Sequence, residues 1–340
     1  MKAGKLPSDL LARLLERLPA DPRVLLGPGV GRDAAAIDLG DGRVLVAKAD
    51  PVTFATDQIG RYVVHVNAND IACLGARPTF FMATVLLPEG ASAELAEEIF
   101  EQIRETCETL GVTPIGGHTE ITIGLERPLI AGAMLGEATR DGLVRPDGAR
   151  PGDHVLLTKG IAVEGTALLA RDATAALRAR GVPDAVIDAA ARLLEEPGIS
   201  VVREALAACR TGRVHALHDP TEGGLATALL ELAQAARAQI RLRPDDVPVL
   251  DETAAVCGAL GLDPFGLLAS GALLIAVEAE SCEGVRAAVE ENGIAAACIG
   301  DVASEGGDAI MDSRSLQPFR RFERDELARF FEALGAHDTA

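Results

Sequence analysis

The chain has 340 residues, more than one hydrophobic core usually organises, so two domains are expected. Hydrophobic residues make up 48% and charged residues 24%, with no run of 18 apolar residues, no leader-like segment and no low-complexity tract, which points to a globular cytoplasmic protein and away from a membrane. The formal net charge of −19 opposes a nucleic-acid interface, which needs clustered Lys and Arg, yet leaves room for a nucleotide whose phosphates are neutralised by a carboxylate-held divalent cation.

In chain order, "SDLLARLLERL" reads as an amphipathic helix packed on a core, with Ser8 as its N-cap before Leu10, Leu11, Leu14, Leu15 and Leu18. The glycines of "GPGVGRD" have G-x-G-x-G spacing, and they lead into "AAAIDL", a "GDG" turn and "RVLVAKAD", the pattern of a β-hairpin. That context excludes a dinucleotide-binding βα turn, and no P-loop occurs anywhere. Lys48, just before Asp50, is either a phosphate-facing cation or a solvated strand-end lysine. "DQIGRYVVHVNANDIACLGARP" has helical periodicity ending at Gly75, and it places Asn67 and Asp70 on the apolar face. A carboxylate there is costly without a cation or strong donors, so Asp70 is a ligand candidate or a structural hydrogen-bonding residue.

"TFFMATVLLP" reads as a strand and Ser92 to Leu110 as a helix, then come the strand "VTPI" and the heptapeptide "GGHTEIT". Read alone, the heptapeptide is a polar tight turn or a ligand-approaching segment. "RPLIAGAMLGEA" is another strand. The polar stretch Thr139 to Asp153 marks the domain boundary, dividing the chain into residues 1–148 and 149–340. Beyond it come the strand "HVLLTKG", the helix "AVEGTALLARDATAAL" and further alternation to the C-terminal helix "RDELARFFEALG". In "VHALHDPTEGGLATALLELAQAA" a strand runs through "HDPTEGG" into a helix from about Leu225, so Asp219 and Thr221 face an anion-favouring helix start or cap it. Cys73, Cys107, Cys209, Cys257, Cys282 and Cys298 lack C-x-x-C spacing and read as reduced core residues, with Cys298 buried and protonated in "IAAACIG". His65, His215 and His218 read as packing or hydrogen-bonding residues.

Taken together and in order, "GRDAAAIDLG", "AKADPVTFATDQIG", "NANDIACLGARP", "GGHTEIT" and "DPTEGGLATALLELA" resemble the aminoimidazole ribonucleotide (AIR) synthase-related, PurM-like superfamily. The likeness spans most of the chain and is greatest to its HypE (hydrogenase expression/formation) branch and that branch's AIR-synthase-like relatives. The resemblance implies an α/β (α+β) two-domain fold. An N-terminal β-rich half-barrel would pair across a homodimer, with a C-terminal α/β domain after it. It also implies ATP and Mg²⁺ as cofactors. The nucleotide-binding candidates are Asp33, Lys48, Asp50, Asn67, Asp70, Gly117, Thr119 and Thr221, of which the resemblance itself carries over the carboxylates Asp33, Asp50 and Asp70. The metal set is Asp33, Asp50, Asp70, Glu120 and Asp219, and the catalytic candidates are Asp219 and His118.

Two departures bear on function. Where relatives commonly carry an acidic residue after the paired glycines this chain has His118, and Glu120 substitutes if the segment is extended, since residues i and i+2 project to one side. HypE ends in a cysteine that accepts a carbamoyl group, whereas this sequence ends "EALGAHDTA", so that reaction on its own tail is not expected. The expectation is an ATP- and Mg²⁺-dependent enzyme phosphorylating or activating an oxygen of a small substrate. Alternatives are a HypE-like hydrogenase maturation protein with a partner protein, and a non-catalytic nucleotide-binding regulator.

Overall fold

The computed structural model describes residues 6–29, 31–53, 57–303 and 309–337. Residues 54–56 of "AKADPVTFATDQIG" and the last three residues of the tail lie outside them. The chain forms two compact units, Met1–Leu143 and Val144–Ala340.

The first unit contains α1 (Ser8–Leu15), β1 (Val24–Leu26), β2 (Ala35–Gly40), β3 (Arg43–Val52), α2 (Ile59–Cys73), β4 (Arg77–Pro88), α3 (Ala93–Leu110), β5 (Thr113–Thr122) and β6 (Leu129–Thr139). Helix α1 departs from expectation: Pro7 occupies the cap position, Ser8 is already helical, and Leu14 and Leu18 are exposed. Leu10, Leu11 and Leu15 are half-buried, so the leucine stripe is only partly covered. The β2–β3 hairpin forms as its alternation and "GDG" turn dictate. The six strands run in the order β1-β2-β3-β6-β4-β5, antiparallel except for β4 and β5, which are parallel and joined through the crossover helix α3. Helix α2 packs across β3, β6 and β4, and its residues are buried almost all round.

The heptapeptide is not a turn. It is part of β5, a ten-residue edge strand. Gly117 has φ +151°, and a Cβ there would lie 1.9 Å from the Ala83 carbonyl oxygen, so the glycine permits the close parallel pairing of β5 with β4.

The second unit contains β7 (His154–Thr158), α4 (Val163–Asp172), α5 (Thr174–Ala179), α6 (Asp184–Ala191), α7 (Val202–Cys209), β8 (Val214–His218), α8 (Gly224–Ala236), β9 (Gln239–Leu242), α9 (Asp251–Leu260), β10 (Leu274–Val277), α10 (Cys282–Glu290), β11 (Ala296–Ala303), β12 (Ile310–Asp312) and α11 (Glu326–His337). Its sheet runs β12-β9-β11-β7-β10-β8. Leu225, Leu229 and Leu232 of α8 pack with Val155, Leu157 and Leu274 of the sheet in one apolar cluster. A second cluster gathers α4, α5, α6, α9 and α11 around Leu169, Leu177, Val256 and Phe330. The segment expected as one helix, "AVEGTALLARDATAAL", breaks at Ala173 into α4 and α5.

Candidate active site

On β3 the period of two sends Val44, Val46, Lys48 and Asp50 to one face of the pleat, the face α2 covers. Lys48 is therefore not a solvated strand-end lysine: its side chain is only 9% exposed. Its Nζ lies 2.8 Å from Asp70 Oδ2 and 3.3 Å from Asp50 Oδ2. Burial works against its charge, but Asp70, Asp50 and Asp33 together outweigh that cost and hold the ammonium above the ordinary lysine range. Asp70, 8% exposed at its side chain, is the carboxylate the helical periodicity placed on the apolar face, and Lys48 is the cation that makes it tolerable there. Asp33 sits half-buried just before β2.

Asn67, one turn before Asp70, locks this arrangement to the sheet. Its Oδ1 accepts from the Asp50 N–H at 2.9 Å, and its Nδ2 donates to the Asp50 carbonyl at 3.2 Å and to the Val63 carbonyl at 2.8 Å. With both amide protons used, Asn67 positions Asp50. The space for it comes from Gly132, the β6 residue paired with Asp50, where a Cβ would lie 2.5 Å from Asn67 Nδ2. The role of Gly132 is invisible in the sequence, since a glycine inside "LIAGAML" carries no signal of what crosses above it.

The β5 residues stand elsewhere in the sheet. Asp50 pairs with Gly132, Gly132 with Ala83 and Ala83 with Gly117, so three strand spacings, about 14 Å along the ladder, separate Asp50 from Gly117. Thr119 faces solvent on that strand, opposite Val85. His118 and Glu120 project together, as the extended reading requires, with His118 Nε2 3.0 Å from Glu120 Oε2. Thr122 donates to Glu120, and the Thr122 and His118 contacts hold that carboxyl below its usual range. Within one chain the register keeps this pair apart from Asp50.

In the second unit Asp219 is buried and Thr221 half-buried in the turn between β8 and α8. The Thr221 carbonyl accepts from the N–H groups of Gly224 (3.1 Å) and Ala269 (3.2 Å). The helix start does attract an anion, and it is the chain's own: Gly223 N–H donates to Asp325 Oδ2 at 2.7 Å, while Asp325 Oδ1 accepts from Leu327 N–H at 2.8 Å. Burial pushes the Asp325 carboxyl up against those bonds. Glu164, in the first turn of α4, is pushed up to about 7 by burial against a Ser270 hydrogen bond, with Asp325 adding to the rise. Neither Asp325 nor Glu164 is legible as a site residue in the sequence, because the contacts that matter, Asp325 with Gly223 and Glu164 with Ser270, each join residues more than 100 positions apart.

His215 Nδ1 meets Asp153 at 2.9 Å and His218 Nε2 meets Glu231 at 2.8 Å, the hydrogen-bonding roles expected of them. Cys298 differs from expectation. It is half-buried, and a hydrogen bond from Cys282, with Arg243 and His154 nearby, holds its thiol below the usual range despite burial.

Comparison with known proteins agrees with this fold. Residues 31–138 match the family described as AIR synthase related protein, N-terminal domain, and residues 150–313 match its C-terminal domain. The chain is 30% identical over 260 residues to a putative hydrogenase expression/formation protein of Methanocaldococcus jannaschii, covering 74% of this chain and 72% of that one. It is 31% identical over 314 residues to carbamoyl dehydratase HypE of Azotobacter vinelandii, covering 89% and 85%. Among solved structures, hydrogenase maturation protein HypE in complex with ATP superposes with a TM-score of 0.71 at 25% identity, covering 93% of this chain and 95% of that one.

Proposed function

The chain belongs to the AIR synthase-related protein family, and from that premise we propose that it is an ATP- and Mg²⁺-dependent enzyme that phosphorylates or otherwise activates an oxygen of its substrate. The observation that carries this reading is the Lys48–Asp50–Asp70 group, a buried ammonium kept charged between two carboxylates on a rigid strand and helix. Its donor set fits the cofactor: carboxylate oxygens suit a hard cation such as Mg²⁺, and an ammonium suits a phosphate oxygen. Asp50 and Asp70, with Asp33, are the residues that would hold the metal, and Lys48 the residue that would meet phosphate. Asn67 fixes the Asp50 backbone, so that carboxylate need not be ordered on binding. Bound Mg²⁺ supplies charge neutralisation as the terminal phosphoryl group moves. Asp219 on its buried turn, with Thr221 beside it, is proposed as a metal and catalytic residue in its own right.

We infer further that β5 is an assembly edge. All but one of its ten residues are exposed, one side of its ladder is open among the described residues, and Ile115, Ile121 and Ile123 add exposed apolar surface at and just past it. A symmetric partner covering that edge makes a homodimer and gives His118 and Glu120 a second set of neighbours.

A second reading, chemistry on a group carried by a partner protein, is favoured by the similarity to carbamoyl dehydratase HypE. The test is calorimetry with ATP in Mg²⁺ and in EDTA, and then ATP turnover with small-molecule acceptors or with a carbamoyl-transferring protein and carbamoyl phosphate. Mg²⁺-dependent binding lost in Lys48→Met and Asp70→Asn is expected. Equal affinity in EDTA would sink the proposal, and turnover only with the carbamoyl donor would select the second reading.

A further inference from the structure

Outside the residues considered for the reaction, three soft-metal donors converge in the second unit. β7 opens at His154, which pairs with Asp301 of β11, while Leu156 pairs with Cys298. Between those pairs β11 has two residues, Ile299 and Gly300, where β7 has only Val155, a bulge at Ile299. Residues 154 and 156 share a face of β7, so the pairing of Leu156 with Cys298 brings the cysteine to the face His154 occupies. Helix α10 packs on β7 and β11 and begins at Cys282. The result is that a ring nitrogen of His154 and the Sγ atoms of Cys282 and Cys298 all lie within 4.8 Å of one another. Among the described residues this is the one place where three His, Cys or acidic ligand atoms gather so closely.

We propose that His154, Cys282 and Cys298 form a binding site for a borderline-soft divalent cation of the zinc class, with its fourth position open to solvent. The donor set decides the metal. Two sulfurs and one imidazole suit Zn²⁺, and no carboxylate in the set would favour Mg²⁺ or Ca²⁺. Tetrahedral zinc ligands stand about 3.5–4 Å apart, so the site closes on the ion by small side-chain rotations. Cys282 is buried, whereas His154 and Cys298 are half-buried, which gives the ion an entry path and a solvent-facing position. The surroundings support a metal thiolate. Arg243 Nη2 donates to Cys298 Sγ at 3.2 Å and to the Cys298 carbonyl at 3.0 Å, fixing the sulfur as outer donors do around metal ligands. The arginine's own charge is balanced by Asp246 at 2.8 Å and Asp301 at 3.5 Å. The ion would tie together β7, β11 and the start of α10.

The test uses the full-length protein purified under reducing conditions, loaded with Zn²⁺, dialysed and assayed for metal, and in parallel loaded with Co²⁺. The expected result is about one zinc per chain, a thiolate-to-cobalt charge-transfer band, and a melting midpoint that rises with Zn²⁺ and falls back with chelator. Cys282→Ser, Cys298→Ser and His154→Ala should each weaken zinc binding about tenfold or more, while Cys209→Ser should not. The cobalt spectrum is read on the unaltered chain, so a poorly folding variant does not decide the question. Absence of retained zinc and of the cobalt band overturns the proposal. So does zinc retained equally by all three variants, or a Cys282–Cys298 disulfide that yields no zinc binding after reduction.

Discussion

Lys48 and Asp70 form a pair whose two side chains are both nearly removed from solvent, and removing one partner from such a pair leaves a buried charge uncompensated. If Asp70 were only a ligand, Asp70→Asn would melt like the wild type; the ion pair instead predicts a loss of about 3–5 kcal/mol, with comparable damage from Lys48→Met. In a double-mutant cycle by urea unfolding the two costs should fall short of additivity by about 1 kcal/mol or more; additive costs would refute the pairing. Because the folded-state pKa of Lys48 is raised, its contribution is complete below the unfolded lysine value of about 10.4 and is lost only as pH climbs beyond it. The pair is therefore constant through neutral pH. Glu164 behaves differently at neutral pH. Its folded pKa is raised from 4.5 to about 7, so its stabilisation is complete below about 4.5 and drains away as pH rises through 7, amounting to about 3 kcal/mol. Glu164→Gln should flatten most of that slope in unfolding measured from pH 5 to 8.

At the scale of elements, β5 and α2 show how differently the same kinds of residue can be used. α2 is buried almost all round, and its polar members Asn67 and Asp70 are satisfied by β3. β5 exposes nearly every side chain and pairs with one neighbouring strand. The close approach of Gly117 to Ala83 makes a specific demand: Gly117→Ala should force β5 away from β4, while Gly116→Ala, with open space around its Cβ, meets only backbone strain. Hydrogen exchange across β4 and β5 should therefore rise much more in Gly117→Ala. Equal exchange in the two variants would contradict the register. A comparable demand falls on Gly132, whose replacement by Ala should dislodge Asn67 and uncouple Asp50 from α2, lowering ATP affinity as well as the melting point.

For the whole molecule, the open β5 edge makes assembly a prediction with a concentration dependence. Sedimentation at micromolar concentration should give a dimer, and Ile121→Lys with Ile123→Lys should shift it to monomer by placing like charges beside the pairing edge. A monomeric wild type would leave that edge needing another cover.

The sequence alone determined what depends on neighbours along the chain. Period-two alternation gave the β2–β3 hairpin, helical periodicity gave α2 and put Asp70 on its inner face, and five ordered motifs led to the family. Such signals are local, because strand and helix geometry repeat every two or 3.6 residues. Tertiary structure decided what depends on partners far away. It made an edge strand of "GGHTEIT", which the sequence left open between a turn and a ligand-approaching segment, and buried Lys48 between Asp50 and Asp70. It also set Asp325 against the start of α8 and brought His154 to two cysteines more than 120 residues further on. Burial, pairing register and the energy of a charge are set by what lies across space, and no periodicity along the chain encodes that distance.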